Sequence, residues 1–225
     1  MITKFTRTAI GALTALAAAA ALSAAPTAAA DLGRGTVGAG HTIRYISAQG
    51  ASTCTLAFSF LANGHTYGVT AGHCVAAGRG YIQDAHTGTR GGIVTYDYDD
   101  SRAGNDFALI DFGNAPSAAT LGGERIAETA TPAADKTLCH TGAASGTSCG
   151  QLATRYGTQY LTEGMDDIPG DSGGPVWSRT ALGNISIVGI WLGSHVDFHG
   201  NRYGRFYPIN EALTGLGLKT AAERM

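Results

Sequence analysis

Pro169-Gly170-Asp171-Ser172-Gly173-Gly174-Pro175-Val176 is the stretch that decides how this chain is read. A serine hydroxyl is a weak nucleophile until a base and a fixed geometry activate it. Glycines around it let the backbone turn sharply and approach a substrate oxygen with no Cβ in the way. The N–H groups of Gly170 and Ser172 are therefore candidates for an oxyanion hole, where one donor contributes about 3 kcal/mol. Alone, the stretch also reads as a surface turn, because Gly, Pro, Asp and Ser are the ordinary turn residues.

Two upstream segments shift that balance. Val69-Thr70-Ala71-Gly72-His73-Cys74 sets a histidine just after an apolar strand, beside a cysteine able to staple it. A general base must keep one tautomer and one direction, and a rigid strand end provides both. Asn105-Asp106-Phe107-Ala108-Leu109-Ile110 opens a second apolar strand on an acid, so the Asp106 carboxylate can be drawn inward to an imidazole N–H. The candidate catalytic residues are thus Ser172 as nucleophile, His73 as base and Asp106 as orienting acid.

Around these segments the chain is rich in scattered glycine, 33 in 225 residues. Short β-branched and aromatic runs lie between the glycines: 66–70, 92–96, 107–112 and 185–191. Short strands with frequent turn signals point to an all-β sandwich or barrel. One helix is expected from about Asn210, where Ala212, Leu213 and Leu216 recur at helical spacing, with Asn210 or a neighbour as its cap. The turn-rich stretch 113–117 is the expected seam between two halves.

Residues 1–30 read as a cleaved export signal: Lys4 and Arg7, an Ala- and Leu-rich stretch, and Ala28-Ala29-Ala30 before Asp31. The rival is a retained anchor. The run is long enough to span a bilayer but is weakly apolar, with Pro26 inside it. The expectation is a secreted protein with no membrane association after signal removal. Without Lys4 and Arg7, 13 basic residues face 17 acidic ones, a net of −4, and no basic stripe suggests nucleic acid.

Cys54, Cys74, Cys139 and Cys149 all follow the signal and read as two disulfides, with three pairings open. Zinc is the competing idea, because His73 abuts Cys74 and His140 abuts Cys139. No C-x-x-C or H-x-x-x-H spacing supports it, so neither a metal nor a cofactor is expected.

Taken together, Thr70-Ala71-Gly72-His73-Cys74, Asp106-Phe107-Ala108-Leu109-Ile110 and Gly170-Asp171-Ser172-Gly173-Gly174-Pro175 resemble the chymotrypsin-like serine proteases in type and order. Leu138-Cys139-His140-Thr141-Gly142 with Ser148-Cys149-Gly150, and Phe206-Tyr207-Pro208-Ile209-Asn210-Glu211-Ala212-Leu213, are similar to the secreted bacterial streptogrisin and alpha-lytic branch. The resemblance implies an all-β fold of two packed six-stranded antiparallel barrels with a C-terminal helix. It divides the chain into a short segment 31–45, a first barrel 46–115 bearing His73 and Asp106, and a second barrel with the helix, 116–225, bearing Ser172. It also implies pairings Cys54–Cys74 and Cys139–Cys149, and a substrate-binding strand edge at Leu192, Gly193 and Ser194. The function implied is a monomeric endopeptidase acting on protein or peptide substrates through an acyl-enzyme. A binding protein on a protease scaffold and an ester hydrolase are the alternatives.

Four departures from the pattern stand out. His140 occupies the place of an arginine that neutralises the acid beside the nucleophile, so a His140–Asp171 pair is expected. Leu192 replaces a serine whose hydroxyl supports the catalytic acid. No cysteine stands just ahead of the nucleophile motif, where members of the resembled family place a third disulfide; Asp166 and Asp167 stand there instead, either as acids favouring Lys or Arg substrates or as solvated loop residues. Any pro-segment is confined to about fifteen residues after the signal.

Overall fold

The computed structural model describes residues 35–77 and 79–218. The expected signal and the start of segment 31–45 lie outside the described residues. Short strands dominate because the glycine-punctuated sequence gives no helical stripe before the C-terminus. They are β1 (Val37–Gly38), β2 (Thr42–Ser47), β3 (Gly50–Thr55), β4 (Phe58–Ala62), β5 (His65–Thr70), β6 (Gly80–Asp84), β7 (Arg90–Tyr98), β8 (Asp106–Asp111) and β9 (Ser117–Ala118). There follow β10 (Thr120–Leu121), β11 (Glu124–Thr129), β12 (Leu138–Gly142), β13 (Gly146–Tyr156), β14 (Gln159–Glu163), β15 (Pro175–Arg179), β16 (Ile185–Val196) and β17 (Arg202–Pro208). The four runs expected as strands fall in β5, β7, β8 and β16.

Two mainly antiparallel sheets carry the fold, the β11–β16 pair being parallel. The second closes on itself, β16-β15-β12-β13-β14-β17 and back to β16, as a six-stranded barrel, with β10 and β11 attached at its side. The first runs β3-β2-β6-β7-β8-β5-β4. Its two edges, β3 and β4, are one strand interrupted only at Leu56 and Ala57. Leu56 N–H turns to the His41 carbonyl (2.9 Å) while Ala57 N–H joins Val69 on β5 (2.8 Å), so the chain itself carries the sheet round the corner. That break gives seven strands where six were expected and leaves the first sheet a half-barrel.

One apolar cluster runs through both sheets, from Ile43, Leu56 and Ile110 to Ile187, Ile190 and Leu213. A second cluster, Leu138, Val176, Val188, Trp191 and Phe206, lies within the second sheet. Burying such side chains contributes about 2 kcal/mol each. The barrels are also joined by polar contacts around the loop that delivers Asp106. Tyr207 donates its hydroxyl to Asn105 (2.9 Å), and Gln159 donates to the Gly104 carbonyl (2.7 Å). Burial, with Glu211 and Asp97 adding to it, pushes the Tyr207 phenol up to about 12, so it remains a donor at any physiological pH.

The helix α1 (Ile209–Gly215) stands where expected and packs on β16 and β17. Its cap differs. Pro208 occupies the cap position with no side-chain hydrogen bond, and Asn210 lies inside the helix, accepting from the Thr129 hydroxyl (2.8 Å). Proline, which cannot donate, suits a helix start, where an N–H would lack an acceptor.

Candidate active site

His73 sits in a single 3-10 turn, Gly72–Cys74, directly after β5. Asp106 opens β8, the strand paired with β5, and is 2% exposed. Its carboxylate grips His73 twice: Oδ1 accepts the backbone N–H at 2.9 Å, and Oδ2 accepts the Nδ1–H at 2.8 Å. The two-point contact fixes the ring direction and keeps the proton on Nδ1, leaving Nε2 free as the basic nitrogen. The Cys54–Cys74 disulfide ties this turn to the end of β3. Cys139–Cys149 is the other pair, so both pairings implied by the resemblance are present.

Ser172 occupies a tight loop between β14 and β15, pinned to both barrels. Its carbonyl accepts from Thr55 N–H on the first barrel (2.7 Å), and Gly173 N–H donates to the Trp191 carbonyl on the second (2.7 Å). Gly173 has φ +86°, and a Cβ there would stand 2.0 Å from Thr70 Oγ1, so no other residue fits. Gly170 has φ +111°. Thr55 Oγ1–H holds the Gly170 carbonyl at 2.8 Å and itself accepts from Ala143 N–H (2.9 Å). Among the described residues neither Gly170 N–H nor Ser172 N–H has an acceptor, which leaves two donors unspent beside the hydroxyl.

His73, Asp106 and Ser172 line one cleft of about 280 Å³, together with Leu192, Gly193 and Ser194. No hydrogen bond joins Ser172 Oγ to the His73 ring among the described residues. On one side β16 is paired with β15 only as far as Ile190, beyond which Trp191 N–H bonds Gly174. From Leu192 onward that edge is open along the cleft wall. Asp167 also faces the cleft, accepting the Trp191 indole N–H at 2.9 Å with Arg202 at 3.7 Å, whereas Asp166 is exposed.

The expected His140–Asp171 pair does not form. His140 is fully buried, stacks on Trp191 with ring centroids 4.0 Å apart, and donates Nε2–H to the Asp166 carbonyl at 2.6 Å. Burial pulls its pKa down against the Asp166 carbonyl and nearby carboxylates, which favours the neutral ring. Asp171 is satisfied by backbone instead: Oδ1 accepts from Ala144 (3.0 Å) and Ser145 (2.9 Å), and Oδ2 from Ile168 (3.1 Å). The β12–β13 turn thus does what a cationic side chain was expected to do.

Burial works to raise the Asp171 pKa, but the bonds from Ser145, Ile168 and Ala144 outweigh it and hold the carboxyl below its ordinary value. A lowered folded pKa gives stability that is present above the unfolded pKa and lost as pH falls towards the folded one. Asp171→Asn is expected to cost about 3 kcal/mol in urea unfolding at neutral pH, because its amide must face one N–H donor. The gap from the parent protein should narrow below about pH 4.

Among the described residues, Cys54, His73 and Cys74 are the one group whose donor atoms could surround a metal. Both sulfurs are in a disulfide and offer no thiolate. Sequence reasoning missed Thr55 and Arg205. The signals were the polar residue flanking a half-cystine, and a lone cation in the buried run Gly204–Pro208.

No family model matches the sequence. The chain is similar to serine protease 2 of Streptomyces fradiae, 30% identical over 63% of this chain and 90% of that one. In structure it is similar to a glutamic acid specific serine protease that utilizes a novel histidine triad in substrate binding, with TM-score 0.64 and 21% identity over 82% of this chain and all of that one. It is also similar to Cellulomonas bogoriensis chymotrypsin, with TM-score 0.60 and 22% identity over 82% of this chain and 98% of that one.

Proposed function

Because the chain belongs to the bacterial chymotrypsin-like serine proteases and is a serine endopeptidase, we propose that it is exported and cleaves protein or peptide substrates through Ser172, His73 and Asp106. On this reading it acts as a monomer, with 46–115 supplying base and acid and 116–225 the nucleophile. Ser172 Oγ attacks the scissile carbonyl carbon as its proton passes to His73 Nε2. Asp106 keeps the imidazole oriented and stabilises its cation, while Gly170 and Ser172 N–H groups bind the oxyanion. His73 then protonates the leaving amine, and water repeats the sequence on the acyl-enzyme. The open edge of β16 at Leu192, Gly193 and Ser194 would hold substrate backbone as an added strand.

The observation that carries this reading is the two-point His73–Asp106 contact sharing one cleft with Ser172 and two unspent N–H donors. The missing Ser172–His73 hydrogen bond is compatible with it, since such bonds tighten when substrate binds. The test is incubation with casein and with a simple ester, reading new peptide N-termini. Casein cleavage is expected; turnover of the ester alone would make the protein an acyl hydrolase of another class.

Asp167 at the Gly193 wall favours substrates with Lys or Arg before the cleaved bond. The glutamic acid specific protease utilizes a histidine triad in substrate binding, whereas among the described residues His73 is the one histidine lining this cleft. Asp167→Asn should lower kcat/KM for an arginyl substrate about tenfold relative to a leucyl one, measured side by side. An unchanged ratio removes Asp167 from specificity.

A further inference from the structure

Arg205 is a buried cation that the mechanism above does not use. It lies on β17 opposite Gly193 and is 6% exposed, yet no carboxylate oxygen lies within 4.0 Å of its guanidinium among the described residues. Its NH1 donates to the Arg102 carbonyl at 2.6 Å, its NH2 to the Leu192 carbonyl at 3.4 Å, and its Nε has no partner. A buried charge without a paired counter-charge is costly, so it needs a compensating role. The nearby acid is Asp106, which lines the same cleft. Burial lowers the guanidinium pKa, and among the charges opposing that effect the Asp106 carboxylate is the largest. Arg102, which Arg205 holds, lies in the β7–β8 loop that delivers Asp106. Leu192, which it also holds, is the position whose side chain brings no hydroxyl to that acid.

We propose that Arg205 is the positioning residue for Asp106, bridging the second barrel to the β7–β8 loop and supplying the counter-charge that a hydroxyl at position 192 does not. This rests on the triad reading given above. The charged and titratable groups that share the cleft with His73 are Asp106 from β8, Tyr98 from β7, Arg102 from the β7–β8 loop, Arg205 from β17 and Asp167 from the loop before Ser172. Among these, Arg205 is the buried cation. A cation near the pair opposes the positive charge that the ring gains on taking the serine proton, so the loss of that cation is read in the acid limb of the pH profile.

The experiment compares the parent enzyme, R205Q and R205K. Glutamine keeps an amide donor for the carbonyls and removes the charge; lysine keeps the charge. Fluorophosphonate labelling of Ser172 in the parent enzyme first establishes the triad and counts competent sites in each variant. R205Q is expected to move the acid limb of kcat/KM upward by about half a pH unit or more, and R205K to keep the parental limb. On the alkaline plateau R205Q should lose about tenfold in kcat with little change in KM. An acid limb in R205Q that superimposes on the parent, or an equal displacement in R205K, overturns the proposal while leaving the labelled triad intact. Failure of the parent to label points instead to the triad reading.

Discussion

Ser172→Ala is expected to lower kcat by about 10⁴- to 10⁶-fold, with KM close to that of the parent enzyme. The substitution removes the atom that forms the covalent bond and leaves the loop intact. The contacts fixing that loop are the Ser172 carbonyl to Thr55, the Gly173 N–H to Trp191 and the Asp171 carboxylate to three backbone donors. Residual turnover would come from the Gly170 and Ser172 N–H groups and from substrate binding. Groups that act as a unit are not additive, so Ser172→Ala combined with His73→Ala should be little worse than either alone. Steady-state kinetics on one peptide substrate checks both statements, and a loss of only about tenfold would remove Ser172 as the nucleophile.

Asp106→Asn is expected to cost on the order of 10⁴-fold in kcat at neutral pH, with near-native unfolding behaviour. Both carboxylate oxygens of Asp106 accept from one residue, the backbone N–H and the Nδ1–H of His73. An asparagine has one oxygen for these two tasks. If the oxygen stays on the rigid backbone N–H, the amide NH₂ faces Nδ1 and draws the imidazole into the tautomer with its proton on Nε2. The nitrogen nearer the serine then has no lone pair with which to take the proton. Kinetics near pH 7 with a thermal unfolding control separate this from misfolding; a loss below about tenfold would mean that Asp106 does not set the tautomer.

What could be read from the sequence was local. The three segments carrying His73, Asp106 and Ser172 announce themselves because strand ends and glycine turns are encoded by neighbours in the chain. The same holds for the strands β5, β7, β8 and β16 and for the terminal helix. What could not be read depends on which residues meet across strands. Asp171 was expected to need a side-chain cation, but its partners are the main-chain N–H groups of Ala144, Ser145 and Ile168, and backbone partners leave no mark in composition. His140 stands where the resembled family carries an arginine, which points to Asp171, yet its ring turns to Trp191 and the Asp166 carbonyl. The strand break at Leu56 and Ala57 has no glycine or proline to signal it. It arises because Leu56 is held by the His41 carbonyl and Ala57 by that of Val69. Thr55 and Arg205 gain their roles from the register of β3 against the nucleophile loop and of β17 against β16.

The central claim is that one alcohol, that of Ser172, is made reactive by His73. A fluorophosphonate probe followed by peptide mass mapping tests it most directly. One adduct per chain is expected, on Ser172, forming at a rate that falls by orders of magnitude in His73→Ala. A folded protein that takes up no probe at Ser172, or labels it equally fast without His73, would contradict the account.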